Sequence, residues 1–238
     1  MLPEHFYFTG AGLLGYLLYA PLVVFLLILF HRYLLRRFMG PAPRWGLSLI
    51  LSVVLLSLPF WDVLAIGYEA DKLCKEQGGL HVYKTVEAEG FLGSSGIKYW
   101  SKYGFKYVED GGTRDRKFRI TLVKGKPKYE QISVYTSRYQ SRGGKYEAIS
   151  RHFGRFRYFV QNRQTGEVLG DLVYFSISPG WFDHLFLGLL PVEFNPWICG
   201  WEAPLGEGEY SPAHGKRLYS YRDLVRATIK PRHRRENQ

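Results

Sequence analysis

Motifs that carry familiar chemistry are missing from this 238-residue chain. There is no CxxC pair, which excludes a thioredoxin-like redox site and a zinc ribbon. The seven histidines form no HExxH, HxH or CxxCH. His31 has no matching histidine on a second helix, which argues against a haem between helices. P-loop, GxGxxG and GxSxG signatures are absent too. Ser94 and Ser95 lie among glycines and read as a flexible loop, and Asp183-His184 has no nucleophile near it in sequence. No metal, cofactor or catalytic group is therefore expected.

Charge is absent as well from residues 8–30 and 45–61. At about 1.5 Å per residue, a 23-residue helix reaches roughly 34 Å, enough for a bilayer core of about 30 Å. No Lys or Arg precedes the first run and no small-x-small site closes it, so a cleaved signal peptide fits poorly. The second helix is expected from about Gly46 to Trp61–Tyr68, with a continuation to Gln77 stopped by Gly78-Gly79. The connecting loop, residues 31–45, carries Arg32, Arg36, Arg37 and Arg44 and no acid. Short arginine-rich loops stay cytoplasmic, so both termini are expected outside. Aromatic residues, among them Phe6, Tyr7, Tyr33, Trp45 and Tyr68, mark the expected boundaries.

This predicts a membrane protein with two parts. Residues 1–68 form an α-helical transmembrane hairpin, with helices near 8–30 and 46–68. Residues 69–238 form an extracytoplasmic, antiparallel β-rich (α+β) soluble domain with a basic C-terminal tail. The location is a plasma (inner) membrane, multi-pass, with a periplasmic domain. Ala11 with Gly15, and Ser48 with Ser52, are four apart and suit close packing of the two helices. Pro21 and Pro59 are candidate kinks. Asp62 is the one charge inside either apolar stretch, and Phe60 and Trp61 beside it favour an interfacial, structural acid over an intramembrane proton or partner site.

Strands are expected at residues 81–87, 105–108, 118–123, 131–136, 155–161 and 168–177, with glycine-rich turns between them. Phe118, Ile120 and Leu122 share one face, and Arg119 and Thr121 the other, as in a sheet with one wet side. Residues 162–167 read as a hairpin turn. No βαβ rhythm is visible, so no parallel pairing is expected. A short helix is expected from Ser220 to about Ile229, ended by Pro231. The aromatic stretch 181–201 reads as core, with a loop dipping into the membrane as the alternative.

The formal charge is +11, and a basic domain attracts polyanions. Residues 98–163 hold 17 basic and five acidic side chains, whereas residues 165–215 hold seven acids and no Lys or Arg. These segments either neutralise each other or build a polar binding surface. Arg155, Arg157, Arg163, Lys126 and Lys128 are the candidate basic surface. Arg155-Phe156-Arg157-Tyr158 reads as an amphipathic strand rather than a nucleic-acid platform, so nucleic acid is not an expected partner. Cys74 and Cys199 both fall in the part placed outside and are expected to form a disulfide. The functional expectation is a non-enzymatic envelope protein that contacts membrane lipid and binds a protein partner. It would be an accessory subunit of a membrane complex or an immunity-type factor. The alternative is an envelope enzyme acting on lipid or glycan through a site without a motif.

Overall fold

Helix and strand boundaries follow local chemistry closely in the computed structural model, which describes residues 8–35, 37, 40–93, 96–111, 116–144, 146–189, 196–204, 207–211 and 216–232. The helices are α1 (Gly10–Leu29), α2 (Pro41–Ser57), α3 (Trp61–Glu76), α4 (Ile97–Trp100), α5 (Trp181–Leu189) and α6 (Tyr221–Thr228). The chain forms two units. A helical unit comprises residues 1–76, 149–154 and 176–198, and a sheet unit comprises residues 77–148, 155–175 and 199–238.

In the helical unit, Thr9 caps α1: its hydroxyl accepts the Gly12 N–H at 2.9 Å, satisfying one of the orphan donors at a helix start. Past Leu29 the chain continues as a π-helical turn, Phe30–Leu35. Helix α2 starts at Pro41 rather than near Gly46. Proline suits a first turn because its missing N–H has no partner there anyway, so the helix begins ahead of the apolar run. Pro59 breaks the second helix into a 3-10 turn, Leu58–Phe60, before α3. Lacking an N–H, Pro59 gives nothing to the Leu55 carbonyl. The Tyr19 hydroxyl donates to that oxygen at 2.8 Å, and Tyr16 donates to the Leu56 carbonyl at 3.3 Å. Two phenols of α1 thus meet backbone groups that the proline disturbs.

Two stretches, residues 10–33 and 43–76, are long and apolar enough to cross a membrane. Their leucine faces are open: Leu18 is 73 % exposed and Leu49 67 %. Of the small residues, Ser48 does meet the first helix, its hydroxyl lying 2.7 Å from His31 Nδ1. Gly15 seats α5, since a Cβ there would lie 2.3 Å from the Phe186 ring. Ser52 donates to the Ser48 carbonyl of its own helix.

The sheet unit contains β1 (Gly79–Val82), β2 (Val86–Ala88), β3 (Gly90–Leu92), β4 (Tyr107–Gly111), β5 (Lys117–Val123), β6 (Lys126–Ile132), β7 (Tyr139–Gly143) and β8 (Glu147–Ala148). The long strands β9 (Phe153–Asn162) and β10 (Val168–Ile177) follow, then the short β11 (Trp197–Cys199), β12 (Glu209–Ser211), β13 (Lys216–Leu218) and β14 (Ile229–Pro231). The main sheet runs β1-β10-β9-β7-β3-β4-β5-β6. It is mixed, not wholly antiparallel. β3 pairs parallel with β4 and with β7, and β14 pairs parallel with β2. The βαβ rhythm was invisible because the β3–β4 crossover uses one helical turn, α4, and strand β3 is three residues long. Neither length supports a periodicity.

The hairpin at 162–167 is present: the Asn162 N–H bonds the Glu167 carbonyl at 2.8 Å, and Gly166 has φ +74°. A second hairpin corrects the strand expected at 131–136. Lys124 (φ 47°) and Gly125 (φ 75°) alone make the turn, as a two-residue hairpin with positive φ requires. Pro127, in the stretch between the strands expected at 118–123 and 131–136, lies in β6. This is the sheet edge, where a missing N–H costs no ladder bond. The expected alternation holds, with Ile120 buried and packed among Phe118 and Leu122.

The core of this unit is aromatic. Phe91, Trp100 and Phe105 meet edge-on with centroids 4.9–5.8 Å apart. Helix α6 adds Leu224 and Val225, and a Ser220–Asp223 capping box fixes its start where the sequence placed it. Both cysteines, Cys74 and Cys199, are disulfide-bonded.

Trp100 is fully buried at the centre of the aromatic triangle. Trp100→Ala should destabilise the full-length protein in mild detergent by about 3–5 kcal/mol, read as a lowered thermal transition. Tyr210→Ala, at a position 61 % exposed, should change it by less than about 0.5 kcal/mol.

Candidate functional site

Three polar clusters stand out in the sheet unit. The first lies on the wet face of β9 and β10. Asp171, 3 % exposed, sits opposite His81 in the β1–β10 register. Its carboxylate meets His81 Nδ1 at 3.1 Å, accepts from the Tyr83 hydroxyl at 3.1 Å and from Arg157 Nε at 2.7 Å. Burial and the Asp171 charge raise the Tyr83 pKa. Beside Arg157 is a hollow of about 400 Å³ walled by Tyr146, Glu147, Arg155 and Phe159. Arg155 bonds Glu147 there. On the opposite face of β9, Phe156 stacks on Tyr174 at 5.0 Å, and Tyr174 on Trp201 at 5.5 Å. Tyr158 packs against the core, whereas Phe156 also meets the exposed Tyr146 ring at 5.0 Å.

The second cluster surrounds Glu109, fully buried on β4. It accepts from Arg119 Nη2 at 2.9 Å, the Thr136 hydroxyl at 2.9 Å and the Ser137 N–H at 2.9 Å. Burial pushes its pKa up, but the Ser137 amide and the Arg119 guanidinium outweigh burial, and the group lies below its ordinary value. A buried charge met by this many donors pins the segment after β6 to the sheet; its role is structural.

The third is a cleft of about 570 Å³ between α6 and the loops before β12 and β4, with Tyr103, Glu207, Tyr219, Asp223, Arg226 and Lys230 in its wall. Arg226 bonds Asp223 and donates to the Tyr103 hydroxyl at 2.9 Å, with its guanidinium 5.1 Å from the Tyr103 ring centre. The second Asp223 oxygen accepts from the Ser220 N–H and hydroxyl, each at 2.8 Å. Asp223 and Arg226 are therefore fixed by the helix cap itself, while Lys230 donates to the Arg226 carbonyl at 2.8 Å. Tyr99 is pushed up to about 12 by burial and its bond to Tyr103, while that same bond and the Arg226 guanidinium lower Tyr103. Burial and the Glu207 bond push Tyr219 up to about 12. Tyr103, 39 % exposed, is the more acidic phenol facing solvent.

In the helical unit, Asp62 and Asp183 close two helix starts. Asp62, in the first turn of α3, accepts the N–H of Trp181, the first residue of α5. Asp183, fully buried, accepts the Thr9 N–H at 3.0 Å and the Thr9 hydroxyl. Burial raises the Asp183 pKa against its Thr9 bonds, and the Asp62 charge adds to the rise. The backbone approaches closely: a Cβ at Gly12 would sit 1.9 Å from Asp183 Oδ1, and one at Gly180 2.6 Å from Asp62 Oδ2. Asp62 therefore performs a capping role. Its companion Asp183, noted in sequence only as part of an Asp183-His184 dipeptide without a nearby nucleophile, also carries a helix-start signal: it is an acid two residues into an apolar run after Pro179-Gly180.

The remaining candidates separate. Arg163 donates to the Tyr135 and Ser137 carbonyls, so Arg155, Arg157 and Arg163 are all engaged within the unit. Lys126 and Lys128 are exposed on the edge strand β6. Arg32 lies in the π-helical turn, Arg37 is exposed and Arg44 is in the first turn of α2. Arg36, Ser94, Ser95, residues 190–195 of the aromatic stretch and the tail from 233 lie outside the described residues. Among the described residues no cluster of three or more His, Cys, Asp or Glu has metal-site geometry. His81, Asp171, Tyr103 and Arg226 are the residues that sequence reasoning missed. No family profile, curated protein or solved structure matches this chain.

Because the folded pKa of Glu109 is depressed, its contribution is present above the ordinary carboxylate value of about 4.3. It is lost as pH falls through the lower folded value. Denaturant titrations of the full-length protein should show stability falling below about pH 4. Glu109→Gln should cost about 2–3 kcal/mol at pH 7 and flatten that acid limb.

Proposed function

We propose that this chain is a membrane-anchored envelope protein whose extracytoplasmic sheet unit binds a protein partner, as an accessory subunit of a membrane complex. The observation that carries the binding role is the cleft at Tyr103, Arg226 and Lys230. It is preformed, walled by aromatic and charged groups and built on a capped helix, which is how binding sites present a few oriented polar groups. Arg and Tyr are also the side chains that dominate interface energetics. An immunity-type factor would use the same surface.

The anchoring role is supported by the two apolar stretches and their open leucine faces, which suit lipid and not water. The topology is supported by Arg32, Arg36, Arg37 and Arg44 in a loop without acids. The oxidised state of Cys74 and Cys199 is consistent with a domain outside the cytoplasm. A second reading, an envelope enzyme acting on lipid or glycan, is favoured by one observation. The His81 imidazole, side chain 37 % exposed, is oriented by buried Asp171 beside the Arg155–Arg157 hollow. A carboxylate-held imidazole is what a general base requires.

Affinity purification in mild detergent, comparing wild type with the double variant Tyr103→Ala/Lys230→Glu, tests the binding role. The partner should fall by about tenfold or more, which corresponds to about 1.4 kcal/mol, while the variant stays folded and membrane-bound. Undiminished partner recovery would refute the cleft. Loss of a hydrolytic activity on envelope glycan or lipid in His81→Gln, with partner recovery intact, would favour the enzyme. A C-terminal alkaline phosphatase fusion should be active, and an inactive phosphatase beside a fluorescent cytoplasmic reporter would overturn the topology.

A further inference from the structure

The helical unit holds a cavity of about 450 Å³ between the end of α1 and the start of α2. Its wall has two chemistries. Val24, Leu27 and Ile28 make one part aliphatic. Arg32, Arg44, His31 and Ser48 make the other part cationic and hydrogen-bonding. The polar part is organised: His31 Nδ1 lies 2.7 Å from Ser48 Oγ, and its ring stands 4.4 Å from that of Trp45. Arg44 Nε is buried and has no hydrogen-bond partner among the described residues. A buried donor left unmet is costly, so this atom favours an acceptor from outside the protein. His31 and Arg32 lie in the π-helical turn, a rare geometry that recurs at functional sites.

An aliphatic wall continuous with a cationic, hydrogen-bonding wall selects a ligand with an anionic head and a hydrocarbon tail. No acid occurs in residues 31–45, so nothing in this segment competes for the arginines. A free phosphate would satisfy Arg32 and Arg44 but leave the aliphatic wall against water. Basic pockets between helices at the cytoplasmic side are a recurring way of holding lipid headgroups. We infer that this cavity binds an anionic phospholipid, its phosphate between Arg32 and Arg44 and its acyl chain along Val24, Leu27 and Ile28. The inference rests on the membrane-spanning reading proposed above.

The test uses full-length protein reconstituted in nanodiscs of phosphatidylcholine with or without phosphatidylglycerol, followed by detergent extraction and native mass spectrometry. Wild type should retain phosphatidylglycerol in preference to phosphatidylcholine. At about 1 kcal/mol per arginine, retention should fall about fivefold for Arg44→Gln and about 25-fold for Arg32→Gln/Arg44→Gln. Leu27→Trp, which fills the aliphatic wall and leaves the charges alone, should also lower it. Retention unchanged in all three variants, or equal retention of both lipids, would overturn the inference. Displacement of the lipid by free glycerol phosphate would likewise overturn the lipid assignment in favour of a soluble phosphate. Carbonate extraction separates the two readings. Protein released to the supernatant defeats the membrane reading, whereas protein in the pellet without bound phosphatidylglycerol defeats the lipid site alone.

Discussion

Carboxylates removed from water must be met by donors, and much of this structure is arranged around doing so. Each unpaired buried charge would cost several kcal/mol. Glu109 is met by Arg119 and the amides and hydroxyl of residues 136 and 137. Asp171 is met by Arg157, His81 and Tyr83, and Asp223 by Arg226 and the Ser220 cap. In the helical unit, Asp183 and Asp62 are met through one oxygen each by the N–H groups of two helix starts, and the second oxygen of each is buried without a partner among the described residues. Each solution fixes a piece of backbone: the segment after β6, the β1–β10 edge, the start of α6, the starts of α1 and α5. Within the sheet unit, the start of α6 adjoins the cleft and the Arg157–Asp171 pair adjoins the hollow, so groups with the chemistry to bind are positioned by bonds that keep charge satisfied.

The segregated charge of the sequence is in part paired off within the fold. The basic stretch 98–163 and the acidic stretch 165–215 meet through Arg157–Asp171 at 2.7 Å, a half-buried pair. Lys84–Glu167, Lys216–Glu202 and Arg222–Glu209 couple the acidic stretch to its other flanks, at 2.9–3.9 Å on the surface. Exposed pairs of this kind contribute little each. Their effect is local neutralisation, which leaves the excess positive charge on groups such as Lys126 and Lys128 at the sheet edge. Lysine and proline at an edge also discourage pairing with another chain, so the exposed lysines of β6 have a sufficient reason in the sheet itself.

Legibility in the sequence tracked the length of the pattern. The apolar helices, the 162–167 turn, the Phe118–Ile120–Leu122 face and the helix after Ser220 were readable because each repeats a period or uses a strong cap. The β3–α4–β4 crossover was not, since three-residue strands and a single helical turn show no period. Pro41 and Pro127 misled for opposite reasons. At Pro41 an N1 proline starts a helix that the apolar run alone placed later. At Pro127 an edge position tolerates a residue that reads as a turn. The candidate sites were the least legible: His81 with Asp171 and Tyr103 with Arg226 are 90 and 123 residues apart, and strand pairing and helix docking, not spacing, bring them together.

The two units solve the problem of unsatisfied backbone differently, and this bears on where each can work. In the sheet unit, edge groups and loop amides can reach water or nearby carboxylates. In the apolar stretches the break at Pro59 is met from within, by the Tyr16 and Tyr19 hydroxyls of α1. Those phenols sit on the helix that also carries Gly12 and Gly15, whose missing side chains admit Asp183 and Phe186. One helix therefore holds the proline-broken partner on one side and receives α5 on another. Substitution at any of these four α1 positions should disturb packing through backbone approach or a lost donor rather than through lost apolar area. Leu18, 73 % exposed on the open face, has little packed area to lose.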